Sequence, residues 1–358
     1  MITIDGSRGE GGGQLLRTSV ALPALTGKPC RIINIRANRP NPGLREQHLQ
    51  GILAVAKFCG GRVKNAELGA TQIEFYPNNE FAEEIVVDIK TAGAITLVLQ
   101  SLMIPSAFAN KNFTIKINGG ATNTAWSPAI DYTSNVFIPL LSKLGYNAGL
   151  RIIERGFYPR GGAEVECKVN PVKALKNLVL EKRGGVKLIK GISMCANLPA
   201  HIATRQRTSA ESLLKSSGYE VVITEENVAS LSAGSSVVLW AECDNTVIGA
   251  DALGDITQKT SVSCARFATQ TFETSADKVG SLAAANMLKT LESGFALDQH
   301  AADQIIPYIA LAKGRSVVTT NEITNHTLAN IGISEEFLGV EFETGKNSIS
   351  VDGCSFGR

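Results

Sequence analysis

MITIDGSRGEGGGQLLRTSVALPALTGKPCRIINI, residues 1–35, reads as a strand, a glycine-rich turn, a helix, a stop and a second strand. Met1 to Asp5 forms the first strand, and Gly6 to Gly13 the turn. A helix follows from about Gln14 to Leu25, with Leu15, Leu16, Val20, Leu22 and Leu25 giving it an inward face. Thr26-Gly27-Lys28-Pro29 ends the helix, because glycine closes a helix readily and proline cannot continue it. Strand Arg31 to Ile35 follows, then a basic loop, a second helix from about Leu44 to Phe58, and strands around Arg62 to Val63 and Gln72 to Tyr76.

The same order recurs twice. A helix from about Ala92 to Ala109 stops at Asn110-Lys111-Asn112. Strand Phe113 to Ile117, a Gly119-Gly120 loop, a helix from about Ile130 to Leu144 and two strands (Gly149 to Ile153, Ala163 to Val169) complete a second unit. A third has a helix from about Asp298 to Ala312, a break at Lys313-Gly314-Arg315 and strand Ser316 to Thr320. Its second helix is about Asn325 to Phe337, with strands near Val340 to Glu343 and Ser348 to Val351. Gly27 and Lys111 are 84 residues apart but Lys111 and Gly314 are 203 apart, a surplus of 119 that is too long for a loop. The expected fold is α+β (mixed α/β): three βαβαββ-like units at about 1–80, 81–172 and 277–358, with a small α/β domain inserted at 185–276. The main domain is thus 1–184 plus 277–358.

Composition narrows the classes. The chain has 358 residues, 44% hydrophobic and 19% charged, and Lys+Arg 35 against Asp+Glu 33 leaves a formal charge of +2. Such a chain has no global field to draw in nucleic acid, so any contact of that kind needs a local patch. Seven cysteines (Cys30, Cys59, Cys167, Cys195, Cys243, Cys264, Cys354) are scattered with no CxxC pair, which argues for free thiols in a reducing compartment. The start carries no signal pattern, and no apolar run reaches the roughly 18 residues of a membrane span. A cytoplasmic protein with no membrane partner is expected.

Several stretches could carry chemistry. In GSRGEGGGQ (6–14), glycines between a strand and a helix start let backbone amides approach an anion, but neither a dinucleotide fingerprint nor a GxxxxGK[ST] loop is present. Glu10 inside it fits either a solvated side chain or one facing a phosphate across Mg²⁺ or Mn²⁺. Arg31 to His48 holds four arginines and one histidine against one acid in 18 residues, a phosphate cradle or a solvated basic loop. RGFYPRGG (155–162) reads as a tight turn between strands. In GGATNTAWSP (119–128), Pro128 either floors a purine or only shapes the loop. In DQHAADQ (298–304), Asp303 and Gln304 share a helix face with His300, and an acid at that helix start is first a capping group. His326, in NEITNHTLANIGISEEFLG (321–339), is a lone imidazole beside Leu328 and Ile331, and such a residue is more often structural than nucleophilic.

Together, DGSRGEGGGQLLRTS, IRANRPNPGLREQHL, TLVLQ ending at Gln100, RGFYPRGGA, AADQ and NHTLANI resemble the RNA 3′-terminal phosphate cyclase family over nearly the whole chain. Ala163 stands where the family signature usually has a further glycine. The resemblance implies three units similar to the C-terminal domain of translation initiation factor three plus an inserted domain, with the main domain catalytic. It also implies ATP-dependent conversion of an RNA 3′-terminal phosphate to a 2′,3′-cyclic phosphate, a ligase reaction, through histidine-AMP and RNA(3′)pp(5′)A, assisted by Mg²⁺ or Mn²⁺. His326 matches the nucleophile. Gln100, Pro128, His300, Ala301, Ala302, Asp303 and Gln304 match ATP contacts, with His300 where bacterial members carry tyrosine. Glu10 matches the metal-side carboxylate, and Arg17, Arg36, Arg39, Gln47 and His48 fall where phosphate- or RNA-handling groups lie.

Three other readings compete: a non-catalytic cyclase-like protein acting in RNA or ribosome biogenesis, an enolpyruvyl transferase of related repeat architecture, and an RNA-binding protein with an idle site. The first lacks the nucleophilic histidine, which His326 supplies here.

Overall fold

The computed structural model describes residues 1–8, 12–254 and 276–357. The first unit runs β1 (Ile2–Asp5), α1 (Gly13–Thr26), β2 (Cys30–Ile33), α2 (Glu46–Phe58), β3 (Arg62–Lys64) and β4 (Ile73–Tyr76). Its sheet has the order β1-β2-β4-β3, with β1 parallel to β2 and the other pairs antiparallel.

The second unit is β5 (Glu84–Ala94), α3 (Ile95–Ser106), β6 (Phe113–Ala121), a helical segment, β7 (Asn147–Glu154) and β8 (Glu164–Asn170). The helical segment joins α4 (Ile130–Tyr132), a π-helical turn (Thr133–Phe137) and α5 (Ile138–Lys143). Its sheet order, β5-β6-β8-β7, repeats that of the first. So does the third, which opens with β9 (Val179–Leu180). There the chain departs into β10 (Val186–Ala196), α6 (His201–Ser216), β11 (Val221–Val228), β12 (Gly234–Cys243), β13 (Val247–Gly254) and α7 (Ala276–Glu292). It returns as α8 (Gln299–Leu311), β14 (Lys313–Thr319), α9 (Asn325–Leu338), β15 (Phe342–Thr344) and β16 (Ser348–Cys354), in the order β9-β14-β16-β15.

The first helices of the three units, α1, α3 and α8, are buried nearly all round, as expected of helices enclosed on every side. They share one apolar core with the inner faces of the three sheets. The stop seen in sequence at Gly27 acts as expected, capping α1 at φ 69° with its N–H donating to the Pro23 carbonyl; Gly339 closes α9 in the same way, at φ 69°.

The sequence-based boundaries need three corrections. Residues 84–94 form a strand, and α3 begins at Ile95 rather than about Ala92; Ile85, Val87 and Ile89 alternate inward with Val86, Asp88 and Lys90 outward, a period-2 pattern. The insertion falls inside the third unit, after its leading strand, because β9 pairs with β14 across it. Residues 277–292, assigned from sequence to the third unit, lie in helix α7, which packs instead on the inserted sheet β11-β10-β12-β13. Its Val279, Ala283, Met287 and Leu291 share a second core with Ile189, Leu239 and Ile248.

The RGFYPRGG turn docks that inserted sheet. Buried Arg155 forks onto Asp131 at 2.8 and 2.9 Å and reaches Glu226 at 2.9 Å. Phe157 packs with Met194 and Ala196. Among the described residues, no helix is long and apolar enough to cross a membrane. Cys264 lies outside the described residues; the other six cysteines are free thiols.

Candidate active site

Helix α9 begins with a side-chain cap, as a threonine followed by a polar turn allows. The Thr324 hydroxyl oxygen accepts the N–H groups of His326 and Thr327, both at 3.1 Å. The hydroxyls of Thr324 and Thr327 each donate to one carboxylate oxygen of Asp303, at 2.5 Å. Farther along α9, the Asn330 amide donates to the Asp303 carbonyl at 2.6 Å, and its oxygen accepts the Thr18 hydroxyl at 2.7 Å. His326 is therefore held in the first turn of a helix tied to both α8 and α1. Burial raises the Asp303 pKa, while the two hydroxyls and then His300 and His326 oppose that rise.

The glycine turn meets this histidine. A Cβ on Gly12 would lie 3.2 Å from Arg39 Nη2 and 3.4 Å from His326 Cε1. One on Gly13 would lie 2.3 Å from His48 Nε2 and 3.2 Å from Arg17 Nη1. Glycine at both positions lets a histidine and an arginine close on the helix start on each side. No side chain caps α1 at Gly12, which leaves its first-turn amides available to an anion.

Arg17 donates to Gln14, and its Nε is buried without a partner among the described residues. Burial lowers its pKa to about 9, against the favourable charge of Asp303, so it stays cationic at neutral pH. His48 is neutral there: burial, then Arg17, Arg36 and Arg45, push its pKa down to about 3. Its Nδ1 accepts the Arg45 N–H at 3.3 Å.

The remaining expected residues divide by what they touch. Arg36, at φ 54°, donates to the carbonyls of Asn41 (2.8 Å) and Gly43 (3.0 Å) and so ties its own loop. Gln47 accepts the Ala94 N–H at 3.3 Å, joining α2 to the start of α3. Gln100 on α3 and Gln304 on α8 each keep a buried side-chain oxygen with no hydrogen bond among the described residues; the Gln304 amide donates to the His300 carbonyl at 3.1 Å. The Pro128 carbonyl accepts the Thr96 hydroxyl at 3.1 Å. The N–H groups of His300 and Ala301 donate to the α8 cap, Asp298, both at 3.0 Å, and Ala302 is buried behind them. Glu10 lies outside the described residues. Among those described, no group of three or more His, Cys, Asp or Glu side chains is placed to hold a metal.

Sequence reasoning read the acid at the start of α8 as a cap but missed its other partners: the Asp298 carboxylate also takes the Tyr132 hydroxyl at 2.6 Å and the Gly249 N–H at 3.0 Å. The Tyr132 ring stands edge-on to His300, centroids 6.0 Å apart at 87°. Asp251, from the inserted domain, accepts the Ala129 N–H at 3.3 Å. The Thr324 cap was readable from its residue type and place, whereas nothing in the local sequence marks Asp251 or Asn330. Two clefts, of about 750 and 570 Å³, lie elsewhere, beside β9 and between α6 and α7, and none of these side chains lines them.

The family profile described as RNA 3′-terminal phosphate cyclase matches residues 8–344. A protein of Pyrococcus abyssi named RNA 3′-terminal phosphate cyclase is 45% identical over 343 residues, covering 96% of this chain and 95% of its own. One of Archaeoglobus fulgidus with the same name is 40% identical over 348 residues, 97% of this chain and 99% of its own. Among solved structures, the enolpyruvyl transferase NikO from Streptomyces tendae aligns with 99% of this chain and 82% of that one at 9% identity, TM-score 0.28, a likeness that carries no argument.

Proposed function

Because this chain belongs to the RNA 3′-terminal phosphate cyclase family, we propose that it converts an RNA 3′-terminal phosphate into a 2′,3′-cyclic phosphate at the expense of ATP, with His326 as the nucleophile. An imidazole nitrogen attacks the α-phosphorus; the P–N bond forms as the bond to the bridging oxygen breaks, and pyrophosphate leaves. An oxygen of the RNA 3′-phosphate then attacks the same phosphorus, which breaks the P–N bond and yields RNA(3′)pp(5′)A. Finally the adjacent 2′-hydroxyl attacks the 3′-phosphorus, loses its proton and expels AMP. Splitting one difficult displacement into three is the gain of covalent catalysis, and the neighbouring hydroxyl adds a proximity effect.

The observation that carries this reading is the approach of His326 and Arg39 to one glycine at an uncapped helix start, where an α-phosphate would find amides and a nucleophile together, with a cation beside them for the incoming RNA phosphate. Among the described residues the oxygens of Gln100 and Gln304 and the Nε of Arg17 have no hydrogen-bond partner, which fits polar groups that await a ligand. Arg17 and Arg39 serve the phosphates, and Pro128 and His300 flank the adenine. Glu10 would hold a Mg²⁺ or Mn²⁺, which would supply charge neutralisation at the triphosphate. Free thiols at the six described cysteines fit a reducing cytoplasm.

Incubation with α-labelled ATP and Mg²⁺ or Mn²⁺ tests the assignment. The expected product is an acid-labile, base-stable protein-AMP, absent in His326→Ala. Failure of the wild type to take label would return the chain to a non-catalytic role in RNA or ribosome biogenesis; equal labelling of His326→Ala would move the nucleophile elsewhere.

A further inference from the structure

Along β13 the side chains alternate between two domains. Ile248, Ala250 and Ala252 enter the core of the inserted domain. The residues between them turn the other way: Gly249 lies against the Tyr132 ring, where an added Cβ would come within 2.6 Å, and its N–H donates to Asp298 at 3.0 Å. Asp251 follows on that same face and accepts the Ala129 N–H through Oδ2.

Ala129 is the neighbour of Pro128, and Asp298 caps the helix that carries His300. Asp251 is half-buried, with protein crowding it yet part of its surface open. Its Oδ1 makes no hydrogen bond among the described residues, although Oδ2 does. Burial raises the pKa of Asp251; the nearby His300 and the Ala129 N–H oppose that rise, and Asp298 adds to it. An acceptor of this kind, half-open beside a proline and an imidazole, is an unspent hydrogen-bonding group in a site for a flat heterocycle.

We propose that the inserted domain supplies the base-reading group of the nucleotide site, with Asp251 Oδ1 accepting the exocyclic amine of adenine between Pro128 and His300. The inference rests on the ATP reading above and assigns a specificity-determining residue within it. Among the described residues only one carboxylate oxygen is without a hydrogen bond, because Ala129 holds the other. Adenine offers a single exocyclic amine beside an acceptor nitrogen. Guanine presents a carbonyl at the same position, which would face the carboxylate unfavourably, and its paired N1–H and 2-amino donors call for two open oxygens.

The test compares ATP with purine riboside 5′-triphosphate, which lacks the amine, as donors for protein-AMP formation. Wild type, Asp251→Asn and Asp251→Ala are assayed in parallel. Wild type is expected to favour ATP in kcat/KM by about tenfold to a hundredfold, the range for a hydrogen bond to a charged group. Asp251→Ala should use both donors within about threefold of each other, and Asp251→Asn should weaken the preference to an intermediate ratio. A merely structural Asp251 predicts equal losses with both donors and an unchanged ratio, which overturns the inference. Equal use of both donors by the wild type overturns it as well. If the wild type takes no label from either donor, the functional reading fails first, a result distinct from labelling with an unaltered ratio.

Discussion

The Asp303 carboxylate accepts the hydroxyl of Thr324 at 2.5 Å, and the oxygen of that same hydroxyl accepts the backbone N–H of His326. One hydroxyl thus fixes the start of α9 and ties it to α8. Replacing Thr324 with Val removes both bonds and leaves the Asp303 carboxylate with only the Thr327 hydroxyl. Loss of a helix cap costs about 1 kcal/mol, and a displacement of about 1 Å at a reacting group costs about a hundredfold in rate. Thr324→Val should therefore lower the rate of protein-AMP formation by about tenfold to a hundredfold with a modest fall in thermal midpoint, and Thr324→Ser should restore both. Equal rates for Val and wild type in single-turnover labelling would show that the cap does not position His326.

Gly12 and Gly13 should respond differently to the same change. A Cβ at 13 would sit 2.3 Å from the Nε2 of buried His48, a ring with little room to retreat. At 12 the neighbours are the ends of Arg39 and His326, at 3.2 and 3.4 Å. Gly13→Ala is expected to destabilise the fold by about 1–3 kcal/mol, as overpacking does. Gly12→Ala should leave the urea midpoint nearly unchanged and slow labelling, because it crowds only the nucleophile and the cation. Reversed effects would contradict this placement of the turn.

How far the sequence alone reached depended on how local each signal was. Gly27 ends α1 through its own backbone freedom, so that stop was legible, whereas Gly314, read as part of a break, lies inside β14. The two residues of β9 carry no periodicity, and only pairing with β14, more than a hundred residues later, makes them a strand. The apolar stripe of α7 marks a buried face without saying whose; Met287 and Leu291 would suit either core. In the site, His326 and Asp303 sit in recognisable runs. Asp251 is one acid in an otherwise apolar strand, and its importance arises from the face of β13 that it occupies. Arg36 and Arg39 look alike in sequence, but the fold gives them different surroundings.

That difference between the two arginines can be measured. Arg36 spends its guanidinium on the Asn41 and Gly43 carbonyls of its own loop, whereas Arg39 reaches the glycine beside His326. Arg39→Ala should impair modification of RNA ends more than self-labelling, since a phosphate-binding cation there serves the second step. Arg36→Ala should reduce both together and raise the protease sensitivity of the loop at 36–43. Equal losses of the two activities in Arg39→Ala would argue against a role in RNA phosphate binding.

Arg155 should matter for the joining of the domains. Its fork pairs with Asp131 in α4 and its Nε with Glu226 on β11, and both Arg155 and Asp131 are buried. Arg155→Met strands the Asp131 carboxylate, a change that typically costs about 3–5 kcal/mol. Arg155→Lys should recover little of this, because an ammonium cannot make the bidentate contact. Denaturation with urea, followed by limited proteolysis for release of the inserted domain, checks this; a loss below about 1 kcal/mol in Arg155→Met would mean that the pair is replaceable.

His48 gives the fold a pH dependence of defined sign. Burial first, and the neighbouring Arg17, Arg36 and Arg45 next, depress its pKa to about 3 from an ordinary 6.5. Its Nδ1 accepts the Arg45 N–H, a role that the protonated ring cannot fill. Between those two pH values the unfolded chain binds a proton that the folded chain refuses. The stabilisation is thus fully present above about pH 6.5 and is lost as the pH falls toward 3, with a slope of at most about 1.4 kcal/mol per pH unit. In His48→Gln, the amide oxygen can still accept the Arg45 N–H but does not titrate. Urea midpoints at pH 7, 5.5 and 4.5 should fall more steeply for the wild type than for His48→Gln, the carboxylates contributing alike to both. Parallel curves would mean that His48 takes up its proton in the folded state, and that the packing of Gly13 against its ring is looser than 2.3 Å implies.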